Sequence, residues 1–173
     1  LNADRWDLTT EQVPGDEEGD YDAELMALLR ESRPYALALL AEEAVPVHVR
    51  LARLLLYGHH VQAQIDGGEV YDFDPTQAEE LLAQCAGQGD FALLREFYQD
   101  LEILTERWSE RLTAAGEKTS FNEKLCKLAA YQIYRYWYQA VSDWDLAARV
   151  KLTVAGCCLL ARMDGDMTAN IQL

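Results

Sequence analysis

Basic side chains are scarce in this sequence of 173 residues, which has 15 Lys and Arg against 30 Asp and Glu. The formal net charge of −15 argues against nucleic-acid binding, because a polyanion is held chiefly by Lys and Arg. Half of the residues are hydrophobic and only four are proline, so the composition is that of a folded chain. A chain of this length can bury a continuous core in one domain without disulfides or metal ions.

Paired cysteines, long apolar runs and nucleotide-binding motifs are also missing. The four cysteines, at positions 85, 126, 157 and 158, show no CxxC spacing, and adjacent cysteines do not form an ordinary disulfide with each other. No run of about 18 apolar residues occurs, and Leu1-Asn2-Ala3-Asp4 lacks the features of a signal peptide. No G-x-G-x-x-G, P-loop or G-x-S-x-G motif follows a strand. We therefore expect a cytoplasmic chain with reduced cysteines and no membrane contact.

Histidine is rare as well, with His48, His59 and His60 as its only occurrences. None of the three has a Glu or His partner at the i±3 or i±4 spacing of helical metal sites. His59 and His60 point about 100° apart on a helix, so at most one of them faces the core. Each cysteine lies in an apolar helical stretch, where a thiol packs as a small hydrophobe. The sequence therefore predicts no metal site.

The few basic residues are unevenly distributed along the chain. Residues 1–117 carry 8 Lys and Arg against 25 acids, residues 118–151 carry 6 against 3, and residues 152–173 carry 1 against 2. Two interpretations of this pattern stay open. The acidic surface serves solubility, or the basic segment faces an anionic cofactor or an acidic partner.

Apolar residues recur at three- and four-residue spacing, which predicts an all-α fold, a multi-helix bundle of about six helices in a single domain. Pro34 predicts a kink in the first helix, and Ser120 with Glu123 forms an S-x-x-E capping box before the fifth. Residues 1–22 are expected to be an irregular acidic leader, and residues 23–173 the helical domain. Because both ends of the chain look cut, we expect a fragment of a larger protein. The predicted helices span about residues 23–43, 46–66, 74–85, 90–115, 120–142 and 146–163.

The fifth predicted helix is the most unusual, because aromatic rings surround most of its circumference between Tyr131 and Tyr138, and we expect it to be largely buried. At about 100° per residue, Arg135 lies on a narrow polar stripe with these two tyrosines on either side. Such an arginine can bind a carboxylate or phosphate, or stack on a planar ligand. It can equally pair with Asp143 or Asp145. The candidate binding residues are Tyr131, Tyr134, Arg135, Tyr138 and Gln139, and no catalytic residue is assigned.

Two stretches, at about residues 28–66 and 121–160, carry recognisable patterns. In the first, Leu28-Leu29-Arg30 and Leu39-Leu40-Ala41 are followed by Pro46-Val47, Arg50-Leu51 and Leu56-Tyr57-Gly58. In the second, Tyr134-Arg135-Tyr136 is followed by Ala140-Val141, Asp143, Asp145 and Arg149-Val150-Lys151-Leu152. Together these stretches resemble the C-terminal helical half of the flagellin lysine N-methylase family.

This resemblance implies transfer of methyl groups from S-adenosylmethionine to lysine side chains of flagellin, which would be the partner. It also implies a cysteine-rich region N-terminal to the matched part that holds an iron–sulfur cluster. This sequence lacks such a region, and its dispersed cysteines do not supply clustered thiolates. The resemblance therefore implies an accessory helical domain that is inactive by itself and acts with its missing N-terminal region.

Two other functions remain open. In one, the chain is a non-catalytic helical protein-interaction module that docks through exposed apolar or aromatic residues. In the other, it is a helical sensor domain that binds a small molecule in an apolar cavity lined by the aromatic helix.

Overall fold

The computed structural model describes residues 21–69, 71–101, 105–116 and 118–163. In these ranges the chain is all-α, which confirms the predicted fold class, with seven α-helices, one 3-10 helix and no strand. The elements are α1 (Ala23–Ala41), α2 (Val47–Ile65), α3 (Gln77–Gln84), α4 (Phe91–Asp100), α5 (Glu106–Ala114), α6 (Glu123–Tyr136), the 3-10 helix (Trp137–Val141) and α7 (Leu146–Leu160).

Local signals in the sequence explain the ends of the first two helices. The Asp22 carboxylate accepts a hydrogen bond from the Leu25 amide at 2.8 Å and caps α1, which continues through Pro34. Helix α2 ends at the predicted double glycine, where Gly67 has a φ of 78°. The Gly68 amide donates to the Ala63 carbonyl at 2.7 Å, the bond that closes a Schellman motif.

The prediction of one long helix over residues 90–115 is wrong, because two helices occupy this range. Leu101 leaves α4 in an extended conformation. Thr105 is also extended, and its hydroxyl accepts a hydrogen bond from the Trp108 amide at 3.2 Å. A new N-cap therefore starts α5 where apolar spacing alone suggested continuity.

The predicted bounds of the fifth and sixth helices also need correction. Asn122 rather than Ser120 caps α6, and it accepts a hydrogen bond from the Lys124 amide at 3.0 Å. The Ser120 amide instead donates to the Ala161 carbonyl at 2.6 Å. After Tyr136 the chain tightens into the 3-10 helix, and α7 ends at Leu160 rather than Met163.

The core is formed where α1, α2, α6 and α7 contact one another. Helices α2 and α7 approach so closely that a Cβ on Gly58 would lie 2.8 Å from a methyl carbon of Val150. The Gln62 side chain of α2 accepts hydrogen bonds from the first two amides of α7, Leu146 and Ala147, at 2.8 and 3.0 Å. Helix α3 packs on α2, and α4 packs on α5 and α7.

Some predictions concern parts of the chain that the structure does not describe. The expected leader over residues 1–22 lies outside the described residues except at positions 21 and 22, and residues 164–173 of the expected helical domain lie outside them as well. Among the described helices, none combines the length and the apolar character needed to cross a membrane.

Candidate functional site

Arg135 lies on the solvent-facing side of α6, as the predicted polar stripe requires. Its guanidinium donates a hydrogen bond to the Tyr131 hydroxyl at 2.9 Å and lies 5.4 Å from the ring centre of Tyr136. The expectation that this helix is largely buried is wrong, since Tyr131 and Tyr136 are 39% and 37% exposed. Between Tyr131 and Tyr138, Ile133 and Trp137 are the residues buried in the core.

Tyr134 and Tyr138, which are half-buried, contact a different arginine. The Arg33 guanidinium of α1 lies 3.8 Å from the ring centre of Tyr138 and 4.8 Å from that of Tyr134. Its Nη1 also donates to the Tyr134 backbone carbonyl at 3.2 Å. Tyr131 therefore contacts Arg135, whereas Tyr134 and Tyr138 contact Arg33. We call these five residues the arginine–tyrosine cluster.

The two acids considered as partners of Arg135 have other roles. Asp143 accepts two hydrogen bonds from Arg149, at 2.9 and 2.8 Å, and these bonds lower the pKa of Asp143. Asp145 caps α7 by accepting from the Ala148 amide at 2.9 Å. The Gln139 carbonyl accepts from Arg149 at 3.2 Å, and the Gln139 side chain is exposed beside the cluster.

The cysteines do not offer the thiolates that an iron–sulfur cluster needs. Burial raises the pKa of Cys126 to about 11 and that of Cys157 to about 12, so both thiols stay protonated at neutral pH. Cys85, predicted to pack in an apolar helix, is exposed at the end of α3. Within the described ranges, no three His, Cys, Asp or Glu side chains form a group that could hold a metal ion. The resident cysteines therefore do not fit the cluster that the resemblance implies.

Arg33 is not among the predicted site residues, although the sequence holds a signal for it. On α1 the buried positions recur through Leu25, Leu29, Ala36 and Leu40, and Arg33 falls on this stripe. An arginine on the apolar stripe of an amphipathic helix must find a partner inside the protein. Only the tertiary structure identifies that partner as a pair of tyrosine rings.

A group of aromatic rings around His60 was also not predicted from the sequence. The ring of His60 lies 6.1 Å from that of Tyr57, 4.7 Å from that of Tyr71 and 5.5 Å from that of Phe73. His60 is buried and His59 exposed, which confirms that at most one of the two faces the core. These rings come from α2 and from the connection after it, so no single periodic segment reveals them.

The arginine–tyrosine cluster is thus a cationic surface formed by α1, α6 and the 3-10 helix, with Arg33 buried and the other members exposed or half-buried. It can bind an anion or a planar group through guanidinium edges and tyrosine faces. A comparison of the chain with models of protein families, with curated proteins and with solved structures found no match.

Proposed function

We propose that this chain is the helical part of a cytoplasmic, S-adenosylmethionine-dependent protein-lysine methyltransferase whose substrate is flagellin. In this proposal the chain is inactive by itself. It acts with a cysteine-rich region that supplies the iron–sulfur cluster, because its own cysteines do not fit one.

The observation that carries the proposal is that the two stretches with the family resemblance contact each other, at one point through a residue of each matching pattern. Gly58 of the first stretch packs against Val150 of the second. Arg50 of the first stretch donates to the Leu40 carbonyl at 2.9 Å and to the Glu123 carboxylate of the second. The matching residues therefore belong to one packing arrangement, which is what a shared fold would require of them.

The arginine–tyrosine cluster is the proposed binding surface. Methyl transfer to lysine requires a neutral amine aligned with the methylsulfonium of the donor. The faces of tyrosine rings attract the positively charged methylsulfonium, and tyrosine hydroxyls can accept a hydrogen bond from the amine. In this proposal Tyr131, Tyr134, Arg135, Tyr138 and Gln139 bind and orient donor or substrate, and they form no covalent bond with either.

Methyl transfer tests this proposal directly. We would measure transfer of labelled methyl groups from S-adenosylmethionine to purified flagellin, using the protein that includes the native sequence encoded upstream of Leu1. We expect Arg135→Ala to lower kcat/KM by about tenfold or more, since one charged hydrogen bond contributes roughly 1.5–3 kcal/mol. Arg107→Ala is the matched control, because Arg107 is also an exposed helical arginine but lies on α5.

Absence of flagellin methylation by that protein contradicts the proposed activity. Equal kcat/KM for the parent and Arg135→Ala removes Arg135 from the site and leaves the activity standing. Methylation by the 173-residue chain alone contradicts the accessory role.

A second function, protein docking without catalysis, is favoured by an exposed apolar stripe on α4. Leu93, Phe97 and Leu101 are 64%, 50% and 46% exposed and follow each other at four-residue spacing. The opposite side of α4 packs inward through Phe91, Leu94 and Tyr98. Leu93 and Phe97 on α4, with Leu101 just after its end, form an apolar surface on which another helix can pack.

The charge around the stripe determines the kind of partner. Residues 66–101 carry nine Asp and Glu against one Arg, so a basic amphipathic helix is the complementary occupant. Fluorescence anisotropy with a labelled Leu/Lys amphipathic helical peptide tests this. We expect Phe97→Glu to weaken binding by about tenfold or more, and Leu152→Glu, at a 56% exposed site on α7, to leave it unchanged. Equal binding of a Leu/Glu peptide contradicts this function.

A further inference from the structure

Among the residues that the structure describes, three arginines are buried, and Arg33 differs from the other two in the groups that contact its guanidinium. Arg33, Arg50 and Arg53 are 8%, 1% and 8% exposed. Arg50 is paired with the carboxylate of Glu123. Arg53 is paired with Glu42 at 2.8 Å and with Glu79 at 2.5 Å. In the part of the chain that the structure describes, no carboxylate pairs with Arg33.

Neutral groups hold Arg33 instead. The guanidinium is stacked on Tyr138 at 3.8 Å and lies 4.8 Å from Tyr134, and one nitrogen donates to the Tyr134 carbonyl at 3.2 Å. Rings and a carbonyl attract the cation but leave its charge without a counterion. A buried charge of this kind is costly unless an anion compensates it.

Part of the Arg33 guanidinium still reaches solvent. None of its nitrogens is both fully buried and unpaired, in contrast to the Nε atoms of Arg50 and Arg53. The Arg33 nitrogens that make no hydrogen bond to a described residue are therefore not fully enclosed by protein. Their orientation is set by the two tyrosines, which lie four residues apart at the junction of α6 and the 3-10 helix.

We infer that Arg33 is a binding site for the carboxylate of a ligand, held by the guanidinium edge that Tyr134 and Tyr138 leave open. The planar fork of arginine matches the two oxygens of a carboxylate. One uncompensated positive charge matches a monoanion, whereas a phosphate monoester carries nearly −2 at neutral pH and is opposed more strongly than a monoanion by the net charge of −15. Prior orientation by the rings reduces the entropy that a ligand must overcome on binding.

Two sources can supply this carboxylate. One is the amino-acid part of S-adenosylmethionine, and this source alone rests on the proposed function. The other is an acidic side chain of a peptide or protein. Both sources place a carboxylate on Arg33, and they differ in the rest of the molecule that carries this carboxylate.

The test observes the Arg33 Nε–H signal of the unmodified 173-residue chain by proton–nitrogen NMR, assigned from its loss in Arg33→Lys. The chain is titrated at constant ionic strength with S-adenosylmethionine, with decarboxylated S-adenosylmethionine and with a capped glutamate-containing peptide. We expect a saturable shift of the Arg33 signal, and at least about tenfold weaker binding for the decarboxylated compound. The Arg107 signal serves as the internal control.

Each outcome has a definite consequence. A shift of the Arg33 signal with S-adenosylmethionine, together with weaker binding of the decarboxylated compound, supports the inference. It identifies the methyl donor as the source of the carboxylate. A shift with the glutamate peptide alone supports the carboxylate site while contradicting donor binding at this place. No shift with any carboxylate, or equal binding of the decarboxylated compound in the absence of peptide binding, overturns the inference. Binding is measured on the unmodified chain, and the Arg33→Lys variant serves only to assign the signal.

Tyr138→Leu provides an independent check, since it keeps the arginine and removes the closer ring. We expect it to weaken the binding of whichever carboxylate shifts the Arg33 signal by about fivefold or more, because a desolvated cation–π contact contributes about 1–2 kcal/mol. Unchanged affinity in a variant with the parent's circular dichroism spectrum contradicts the role of the rings.

Discussion

At the scale of single residues, His60 shows how burial determines the behaviour of a titrating group. Its Nε2 lies 2.9 Å from the amide nitrogen of Gln64. Because an amide nitrogen only donates, Nε2 accepts, and the proton of neutral His60 lies on Nδ1. Nδ1 is buried and has no hydrogen-bond partner among the described residues. Burial lowers the pKa of His60 below its ordinary value of 6.5, so the folded chain keeps this imidazole neutral.

The lowered pKa of His60 predicts a pH dependence of stability. Above pH 6.5 the imidazole is neutral in both states and contributes nothing. As the pH falls below 6.5, the unfolded chain binds a proton that the folded chain does not, so the free energy of unfolding decreases until the folded pKa is reached. Urea unfolding should show that the free energy of unfolding decreases from pH 7 to pH 5. We expect this decrease to be smaller in His60→Gln than in the parent.

His59→Gln is the matched control for this measurement, because His59 is the exposed neighbour on the same helix. An equal pH dependence in the parent and His60→Gln would contradict the assignment. The carboxyls of Glu79 and Asp143, whose pKa values are lowered by hydrogen bonds from Arg53 and Arg149, lose their contribution only at lower pH. Their effect is therefore separable from that of His60.

At the scale of helices, the crossing of α2 and α7 depends on a missing side chain. A Cβ on Gly58 would lie 2.8 and 2.9 Å from the side-chain carbons of Val150, closer than real contacts allow. Valine cannot move away easily, because its branched side chain has few rotamers. The two helices can therefore pack at this distance only with glycine at position 58.

We expect Gly58→Ala to lower the free energy of unfolding by about 1–3 kcal/mol, although alanine is the better helix former. Adding Val150→Ala should recover part of this loss, with a coupling of at least about 0.5 kcal/mol in a double-mutant cycle measured by urea unfolding. Gly156→Ala is the control, because its Cβ would meet only the Tyr98 hydroxyl at 3.4 Å. Additive losses would show that the two residues are not in contact.

At the scale of the whole molecule, buried arginines join segments that are distant in sequence. Arg50 of α2 reaches the Leu40 carbonyl at the end of α1 and the Glu123 carboxylate at the start of α6. Arg53 is held by two carboxylates, Glu42 and Glu79. Removal of one acid therefore leaves Arg50 without its carboxylate partner but leaves Arg53 with a second one, so the loss in the free energy of unfolding should differ.

We expect Glu123→Gln to lower the free energy of unfolding by about 1–3 kcal/mol, because it leaves the buried Arg50 without a carboxylate. Glu42→Gln should cost less than about 1 kcal/mol, since Arg53 retains its second carboxylate, that of Glu79. Thermal or urea unfolding of the two variants compares them directly. A larger loss in Glu42→Gln would contradict this view of the buried charges.

The sequence by itself determined the features that depend on near neighbours in the chain. Apolar spacing determines that the described chain is helical, and the glycines at 67 and 68 determine where α2 ends, because propensity and capping act within a few residues. The polar stripe of α6, including Arg135, follows from helical geometry alone. The break between α4 and α5 was missed because a threonine N-cap and continued apolar spacing carry opposing signals.

Only the tertiary structure determined which distant groups meet. It assigned Tyr138, predicted to lie beside Arg135, to Arg33 together with Tyr134, and it directed Glu123 to Arg50 rather than into a capping box. It also left Tyr131 and Tyr136 exposed on a helix that looked buried. The physical reason is that the partner of a charge or a ring is chosen by burial and distance between packed helices, and spacing within one helix does not contain that information.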